Sequence, residues 1–225
     1  MSKVRTEIID CPACAGKGEF QIWDSVNVTI HPELKEKIFS EELFIWVCPH
    51  CGAKVYVPYG FIYHDMMHRF MIFYSPDESA DKYSPLDIPC EFAPNDYIYR
   101  AVYGIVSFKE KIRQLESELN DIAIERLKYI LTHFKVSEFI ENGIGLLFLD
   151  CDTSDRGFSE YGSISFIFTN KDGETMEAKY GMELYYESEV ALSIDPRMNP
   201  GKNPCIDQEW MSNKFKKSKY ESGRT

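Results

Sequence analysis

Two pairs of cysteines share one spacing along the chain: Cys11 with Cys14, and Cys48 with Cys51. Two intervening residues let a tight turn aim both sulfurs at one point, with backbone amides directed at the thiolates. Together, two such turns supply the tetrahedral four-thiolate shell that structural zinc prefers, and this shell is closed to substrate. Gly52 follows the second pair, where the turn needs positive φ, whereas the first pair has Ala15 and then Gly16 there. The spacing predicts one structural Zn²⁺ ion.

Two other uses of these pairs stay open beside zinc. A redox Cys-x-x-Cys normally occurs once, at a helix N-terminus in a βαβ pattern, whereas both pairs here precede strand-like segments. Thiolate turns also bind iron, in rubredoxin-like or iron–sulfur sites. The remaining cysteines are scattered and have no Cys or His at ligand spacing, and we interpret them as small buried side chains: Cys90, Cys151 and Cys205.

The cysteine pairs are flanked by segments rich in β-branched and aromatic residues, which predict strands. These predicted strands cover residues 4–9, 19–30, 43–47 and 54–57, with a short helix at 31–40 and a hairpin at 61–64 and 69–74. Residues 1–74 are therefore predicted to form a zinc ribbon extended by a β-hairpin. Residues 75–96 contain four prolines and many acids, and they predict a linker.

The rest of the chain predicts an α+β domain over residues 97–212. Its predicted elements are a strand at 97–107, helices at 108–119 and 121–134, strands at 144–150, 163–169 and 175–180, and a helix at 182–194. Asn120 and Asp121 are expected to break or cap the helical stretch. The fold class is thus α+β, with an N-terminal zinc ribbon packed with or linked to a helical hairpin and a small antiparallel sheet. Residues 213–225 are expected to be a flexible basic tail.

Two further groups of polar side chains have spacings that suit chemistry. His64, Asp65 and His68 lie within five residues, as in some metal sites, but the surrounding pattern favours a hairpin whose turn makes Asp65 and His68 diverge. Asp121 and Glu125 are four residues apart and so share a helix face, as a divalent-metal site or an acid/base pair requires. Because lysines and arginines are interleaved with these acids, a solvated charged face is the favoured interpretation.

Charge and hydropathy exclude several classes of partner. The net charge is −11 and no third of the chain is basic overall, which disfavours nucleic-acid binding, because neutralised phosphates supply most of that affinity. The single basic cluster, in the C-terminal tail, is interpreted as a solvated end. No apolar run approaches the roughly 20 residues of a membrane helix, and the N-terminus lacks an export signal. A cytoplasmic protein is expected.

Several stretches resemble one known family. The pairs CPAC and CPHCG, with WDSVNVTIHPELKEKIF between them and YGFIYHDMMHRFMIFY after them, resemble the CpXC domain, a bacterial and archaeal zinc-ribbon-like family without an established function. The resemblance covers about residues 8–131, including the helical FKEKIRQLESELNDIAIERLKYIL. It implies a metal site and an architecture, not an activity. Its recurrent Tyr-His-Asp run implies that His64 braces the ribbon against the second part, for example by a hydrogen bond behind the metal ligands. The family's frequent Asp-Asp pair is Asn120-Asp121 here.

Two functions follow as hypotheses. In the first, the chain is a non-catalytic interaction module, in which zinc stabilises the ribbon and the acidic α+β part binds a protein partner. In the second, the chain is a metal-dependent hydrolase acting on nucleic acid or a nucleotide, with Asp121, Glu125 and His64 supplying the chemistry. The closed metal shell and the lack of a recognisable catalytic motif favour the first.

Overall fold

The computed structural model describes residues 2–77, 96–201 and 204–221, and side chains as far as residue 216. The chain is of mixed α+β class and divides into two compact units, residues 1–109 and 110–225. The predicted linker lies outside the described residues apart from its two ends, and so does Cys90. No helix in the described part of the chain is long and apolar enough to cross a membrane.

Unit 1 contains seven described strands in two sheets: β1 (Lys3–Asp10), β2 (Lys17–Asn27), β3 (Ile45–Val47), β4 (Lys54–Tyr56), β5 (Phe61–Asp65), β6 (Phe70–Ser75) and β7 (Ile98–Tyr103). The larger sheet has the order β1-β2-β5-β6-β7, and β3 and β4 form a separate hairpin. Neighbours β1/β2 and β5/β6 are antiparallel, while β2/β5 and β6/β7 are parallel. Helix α1 (Glu33–Phe39) begins after Pro32 and buries Leu34 and Ile38.

Alternation along β5 and β6 builds the core of unit 1. Alternate residues of both strands are buried, including Phe61, Tyr63 and Tyr74. Their rings surround Phe108, with centroid separations of 5.6, 5.7 and 4.6 Å. These aromatic side chains are therefore core residues.

The position of β7 corrects the predicted domain division. The sequence assigns residues 97–107 to the second domain, but β7 pairs in parallel with β6, with Phe70 opposite Ile98 and Tyr74 opposite Val102. After β7 the chain becomes helical at Ile105, where α2 (Ile105–Glu116) begins. The boundary between the two units lies between Lys109 and Glu110. Pairing between strands that are distant in sequence leaves no local pattern, so periodicity alone could not reveal it.

Unit 2 combines four further helices with a three-stranded antiparallel sheet. Its elements after α2 are α3 (Asp121–Ile130), α4 (Ser137–Asn142), β8 (Leu147–Asp152), β9 (Ser163–Thr169), β10 (Thr175–Gly181), α5 (Glu183–Ile194) and α6 (Gln208–Glu221), and the sheet order is β10-β9-β8. Asn120 caps α3, because its Oδ1 accepts from the amide of Ile122 at 3.0 Å, as predicted. One apolar core joins α3, the sheet and α5 through Ile124, Phe166 and Tyr185.

The C-terminal helix differs from the expected frayed tail. Helix α6 continues from Gln208 to Glu221, whereas the sequence predicted a flexible segment from residue 213. Trp210 and Met211 are buried against Ile122 and Tyr129 and anchor the helix. Because α6 carries few apolar residues, its periodicity is weak, and tertiary packing decides its extent.

Candidate metal centre

The two cysteine turns have the same main-chain hydrogen bonds. In the first, the Cys11 amide donates to the Gly16 carbonyl and the Ala15 amide donates to the Cys11 carbonyl, both at 2.8 Å. In the second, the Cys48 amide donates to the Ala53 carbonyl and the Gly52 amide donates to the Cys48 carbonyl, both at 2.9 Å. The two turns therefore have the same pattern of backbone hydrogen bonds at corresponding positions.

Strands hold both turns in place. The first turn links the end of β1 at Asp10 with the start of β2 at Lys17, and the second links the end of β3 at Val47 with the start of β4 at Lys54. Each turn is thus the tip of an antiparallel hairpin, and the strands beside it are those that the sequence predicted. A redox pair would instead place its cysteines at a helix N-terminus.

The hairpins bring four sulfurs together: those of Cys11, Cys14, Cys48 and Cys51, all within 4.8 Å of one another. Two of the separations are 3.6 Å, from Cys11 to Cys51, and 3.7 Å, from Cys14 to Cys48. A tetrahedron with metal–sulfur bonds of about 2.3 Å has sulfur–sulfur edges of about 3.8 Å. The set therefore has the spacing to hold one metal ion, and it is the single group of this kind among the described residues.

Hydrogen bonds and burial set the protonation of these thiols. Burial raises the pKa of Cys48, but the amides of Cys51 and His50 donate to its sulfur and lower that pKa to about 6. The Gly16 amide lowers the pKa of Cys14, yet its hydrogen bonding with the Cys51 thiol and its desolvation raise the pKa to about 12. Cys48 is thus readily ionised, whereas the thiol of Cys14 resists ionisation. A bound cation stabilises the thiolate forms of the cysteines, and metal binding therefore displaces the thiol protons.

Close contacts between the two hairpins fix the separation of the turns. His50 Nε2 donates to the Lys17 carbonyl at 3.0 Å, and Trp46 Nε1 donates to the Glu19 carbonyl at 3.1 Å. The backbone at Gly18 passes so near the second hairpin that a Cβ there would lie 2.8 Å from Trp46 Cζ2 and 2.9 Å from Pro49 Cδ. Sequence reasoning missed these supporting residues, although the Ala-Gly-Lys-Gly run after Cys14 was a visible sign of close approach.

The candidate residues around His64 lie at a turn with two separate sets of contacts. Asp65 Oδ1 accepts from the amides of Met67 and His68 at 2.8 and 3.1 Å, which confirms the predicted turn between β5 and β6. The expected divergence of Asp65 and His68 is wrong, because Asp65 Oδ2 lies 2.7 Å from His68 Nδ1. The same carboxylate binds the turn amides and the ring, so the turn folds His68 back onto it. Hydrogen bonds from His68 outweigh burial and lower the pKa of Asp65.

His64 itself contacts other residues of unit 1. Its Nδ1 lies 3.4 Å from Asn27 Nδ2, and its Nε2 lies 3.3 Å from the Tyr97 hydroxyl. Burial lowers its pKa. These contacts link β5 to β2 and to the residue before β7, all within unit 1, so they differ from the bracing against the second part that the family resemblance implies.

Asp121 and Glu125 are buried in unit 2, which corrects the expected solvated face. Each is 2% exposed, and each has a lysine partner: Lys111 Nζ lies 2.9 Å from Asp121 Oδ2, and Lys128 Nζ lies 3.1 Å from Glu125 Oε1. The interleaved lysines are therefore the counterions that permit burial, rather than neighbours on a wet surface.

The same buried network extends to α2, to β8 and to α6. Lys128 Nζ also donates to Glu110 Oε1 at 2.6 Å, and the Phe148 amide donates to that oxygen at 2.7 Å. The Gln208 side-chain amide donates to the Glu125 backbone carbonyl at 2.8 Å. Lysine and amide donors thus occupy these carboxylates, an environment that favours a structural role over metal-dependent hydrolysis.

The two remaining described cysteines have different environments. Cys205 is 3% exposed and lies 3.5 Å from Asp207 Oδ2, consistent with the predicted buried side chain. Cys151 is only half-buried, and desolvation raises the pKa of its thiol. Neither belongs to the four-sulfur cluster.

Comparison with known proteins identifies the region that contains this cluster. A family model described as "CpXC protein" matches residues 9–128, just over half of the chain. The matched segment includes both cysteine pairs, His64, Asp65, Asp121 and Glu125. No curated protein and no solved structure matches the chain.

Proposed function

The chain belongs to the CpXC family, and we propose that it is a non-catalytic protein-interaction module whose N-terminal zinc ribbon is fixed by one structural Zn²⁺ ion. The observation that carries this proposal is the clustering of four sulfurs within 4.8 Å of one another at the tips of two hairpins, with separations of 3.6 and 3.7 Å for two of the pairs. Four thiolates complete the preferred shell of zinc and leave no position for a reacting water or substrate.

The supporting contacts favour a structural role for the ion. Cys11 and Cys48 are buried and pack with Trp46 in a small apolar cluster. This cluster is small and the β3–β4 hairpin has only three residues in each strand, so the free energy of metal binding supplies stability that burial around the two turns lacks. A cytoplasmic location belongs to the same proposal, because free thiols persist in a reducing compartment.

An exposed face of α5 supports the interaction part of the proposal. Tyr186, Val190 and Ile194 follow one another at four-residue spacing and are 39%, 62% and 77% exposed, so they form an apolar stripe along one side of the helix. The stripe borders an open depression of about 550 Å³ lined by Tyr161, Glu183, Tyr186, Glu187 and Val190. Exposed apolar stripes of this kind are typical of protein-binding surfaces.

The charges beside this stripe indicate the partner's chemistry. Glu183 and Glu187 line the depression one turn apart, and Lys135 lies 3.9 Å from Glu187 at its edge. We assign to this surface an amphipathic helix with an apolar face and basic flanks, which matches both the stripe and the net charge of −11.

Metal analysis tests the zinc part. Protein purified without a metal-affinity step should contain one zinc per chain, Cys48→Ser should lose it, and Cys151→Ser should retain it. On chelation, hydrogen exchange should accelerate at the amides of Cys11, Ala15, Cys48 and Gly52, while the amides of α3 stay protected. Iron in place of zinc, or unchanged exchange at the four amides after verified metal removal, would contradict the proposal.

Peptide binding tests the interaction part. The probe is a helical peptide with leucines on one face and lysines beside them, and fluorescence anisotropy reports its binding. Val190→Glu should weaken binding at least about tenfold, although it adds a negative charge that by itself would attract the peptide. Val106→Glu, at an exposed position of unit 1, adds the same charge and should leave affinity unchanged. Equal binding by both variants would show that net charge alone attracts the peptide, and would rule out the α5 surface.

A further inference from the structure

Strand β1 is an edge of the larger sheet. It pairs with β2 on one side and stands first in the described strand order. Seven of its eight residues are exposed, including Val4 and Ile8 at 43% and 58%. A long edge strand that exposes apolar side chains is a template for pairing with another strand.

The sequence of β1 is complementary to itself. When a second copy of the strand is laid antiparallel with Thr6 facing Thr6, Val4 faces Ile8 and Arg5 faces Glu7, twice each. Val4, Thr6 and Ile8 share one face of the strand, and Arg5 and Glu7 share the other. This register therefore combines two apolar pairs on one face with two opposite-charge pairs on the other, the types of cross-strand pair that stabilise a sheet.

We propose that two copies of this chain associate through β1, antiparallel and with Thr6 on the two-fold axis, so that two five-stranded sheets become one ten-stranded sheet. The interface is isologous, because each strand presents the same residues to its copy. The first half of the strand carries positive Lys3 and Arg5 and the second half carries negative Glu7 and Asp10, so an antiparallel copy brings opposite charges together, whereas an edge with charges of one sign would repel its copy. The self-complementarity of β1 depends on neither the zinc site nor the α5 surface.

Existing contacts at this edge are compatible with pairing. Arg5 Nε lies 3.0 Å from Glu7 Oε1 within the strand, and Arg5 also pairs with Asp24 of β2. The side chains of Arg5 and Glu7 are nevertheless 49% and 48% exposed, so each can also form an ion pair with its partner on the facing strand. Because two eight-residue strands bury less area than a standard interface of about 1,600 Å², we expect a dissociation constant on the order of micromolar or weaker.

A single cysteine placed on the axis tests the register. Facing residues in antiparallel strands have Cα atoms about 4.5–5.5 Å apart, a separation that a disulfide spans. Thr6→Cys in zinc-loaded full-length protein should therefore give a covalent dimer on mild oxidation, joined at position 6 in both chains. Val4→Cys and Ile8→Cys face each other's position rather than their own, and should remain at the level of the wild type, which controls for native thiols. No excess of dimer in Thr6→Cys would overturn the proposal.

Charge reversal tests the pairing without a covalent bond. In sedimentation equilibrium, the wild type should dimerise reversibly, and Arg5→Glu or Glu7→Arg alone should weaken the dimer at least about tenfold, because like charges then face each other. The double variant restores opposite charges in this register only, and it should recover most of the affinity. A wild type that stays monomeric at several hundred micromolar, or a double variant no better than the single ones, would overturn the proposal.

Discussion

Ala15 and Gly52 occupy the same position in the two cysteine turns. Both have left-handed backbone conformations, with φ of +54° and +73°, and both donate their amide to the carbonyl of the first cysteine in their turn. The departure in the first turn is therefore one of residue type, not of geometry. Alanine takes a conformation there that glycine adopts without steric cost.

The equivalence predicts unequal effects of exchanging the two residue types: Gly52→Ala should destabilise the protein, and Ala15→Gly should be nearly neutral. Gly52→Ala should lower the free energy of unfolding by about 1 kcal/mol, because a Cβ at Gly52 meets nothing within 4 Å and the backbone conformation alone is penalised. Ala15→Gly should change it by less than about 0.5 kcal/mol, since relief of strain offsets the greater entropy of the unfolded chain. Chemical denaturation of zinc-loaded protein measures both. An equal loss in the two variants would contradict the equivalence.

The two turns also show what the sequence predicted well. Cysteine spacing is a local property, and it located the sulfur cluster and its flanking strands correctly. The cap at Asn120 and the hairpin of β5 and β6 are local in the same sense. The partner of β7 was missed, because its pairing with β6 joins segments that are separate in the chain.

A second prediction concerns the close approach of the hairpins at Gly18. Gly18→Ala should weaken metal affinity at least about tenfold, because its Cβ would meet Trp46 and Pro49 within 3.0 Å and force the second turn away from the first. Competition with a chromophoric zinc chelator measures the affinity. Gly145→Ala is the matched control, since a Cβ there meets nothing within 4 Å. If the two variants bind the metal equally well, Gly18 does not set the separation of the turns.

A third prediction concerns the buried lysine of unit 2. Lys128 is 2% exposed and lies between Glu110 and Glu125. Lys128→Met fills similar volume but leaves two buried carboxylates without their shared cation, so the free energy of unfolding should fall by about 3–5 kcal/mol. Lys171→Met, at an exposed turn, should change it by less than about 0.5 kcal/mol. Comparable small effects in both variants would show that Lys128 is not the counterion of this cluster.

The burial of these charges could not be predicted from the sequence. Helical periodicity places Asp121 and Glu125 on one face, but it does not distinguish a wet face from one that packs against complementary charges. The deciding partner, Lys111, lies in another helix, and Gln208 comes from the far end of the chain. Only tertiary structure brings these donors to the carboxylates.

The last prediction is a pH dependence of opposite sign at the two glutamates. Burial and the nearby Glu125 raise the pKa of Glu110 despite Lys128, whereas Lys128, Lys111 and amide donors outweigh burial and lower the pKa of Glu125. Lys128 therefore contacts both carboxylates, but the pKa is lowered only at Glu125. Glu110 contributes stability at low pH that is lost as the pH rises from its unfolded pKa of about 4.3 towards its higher folded pKa. Glu125 contributes stability above about pH 4.3 that is lost as the pH falls through its lower folded pKa.

Substitution by glutamine separates these contributions. Glu110→Gln should gain stability relative to the wild type as the pH rises from about 4 to 7, because the variant lacks the group whose ionisation is penalised by burial. Glu125→Gln should lose stability relative to the wild type when the pH rises from about 3 to 6, because the wild type then gains the favourable ionisation that the variant lacks. Denaturant unfolding across this pH range measures both differences. Slopes of the same sign in the two variants would contradict the assignment of the raised pKa to Glu110 and the lowered pKa to Glu125.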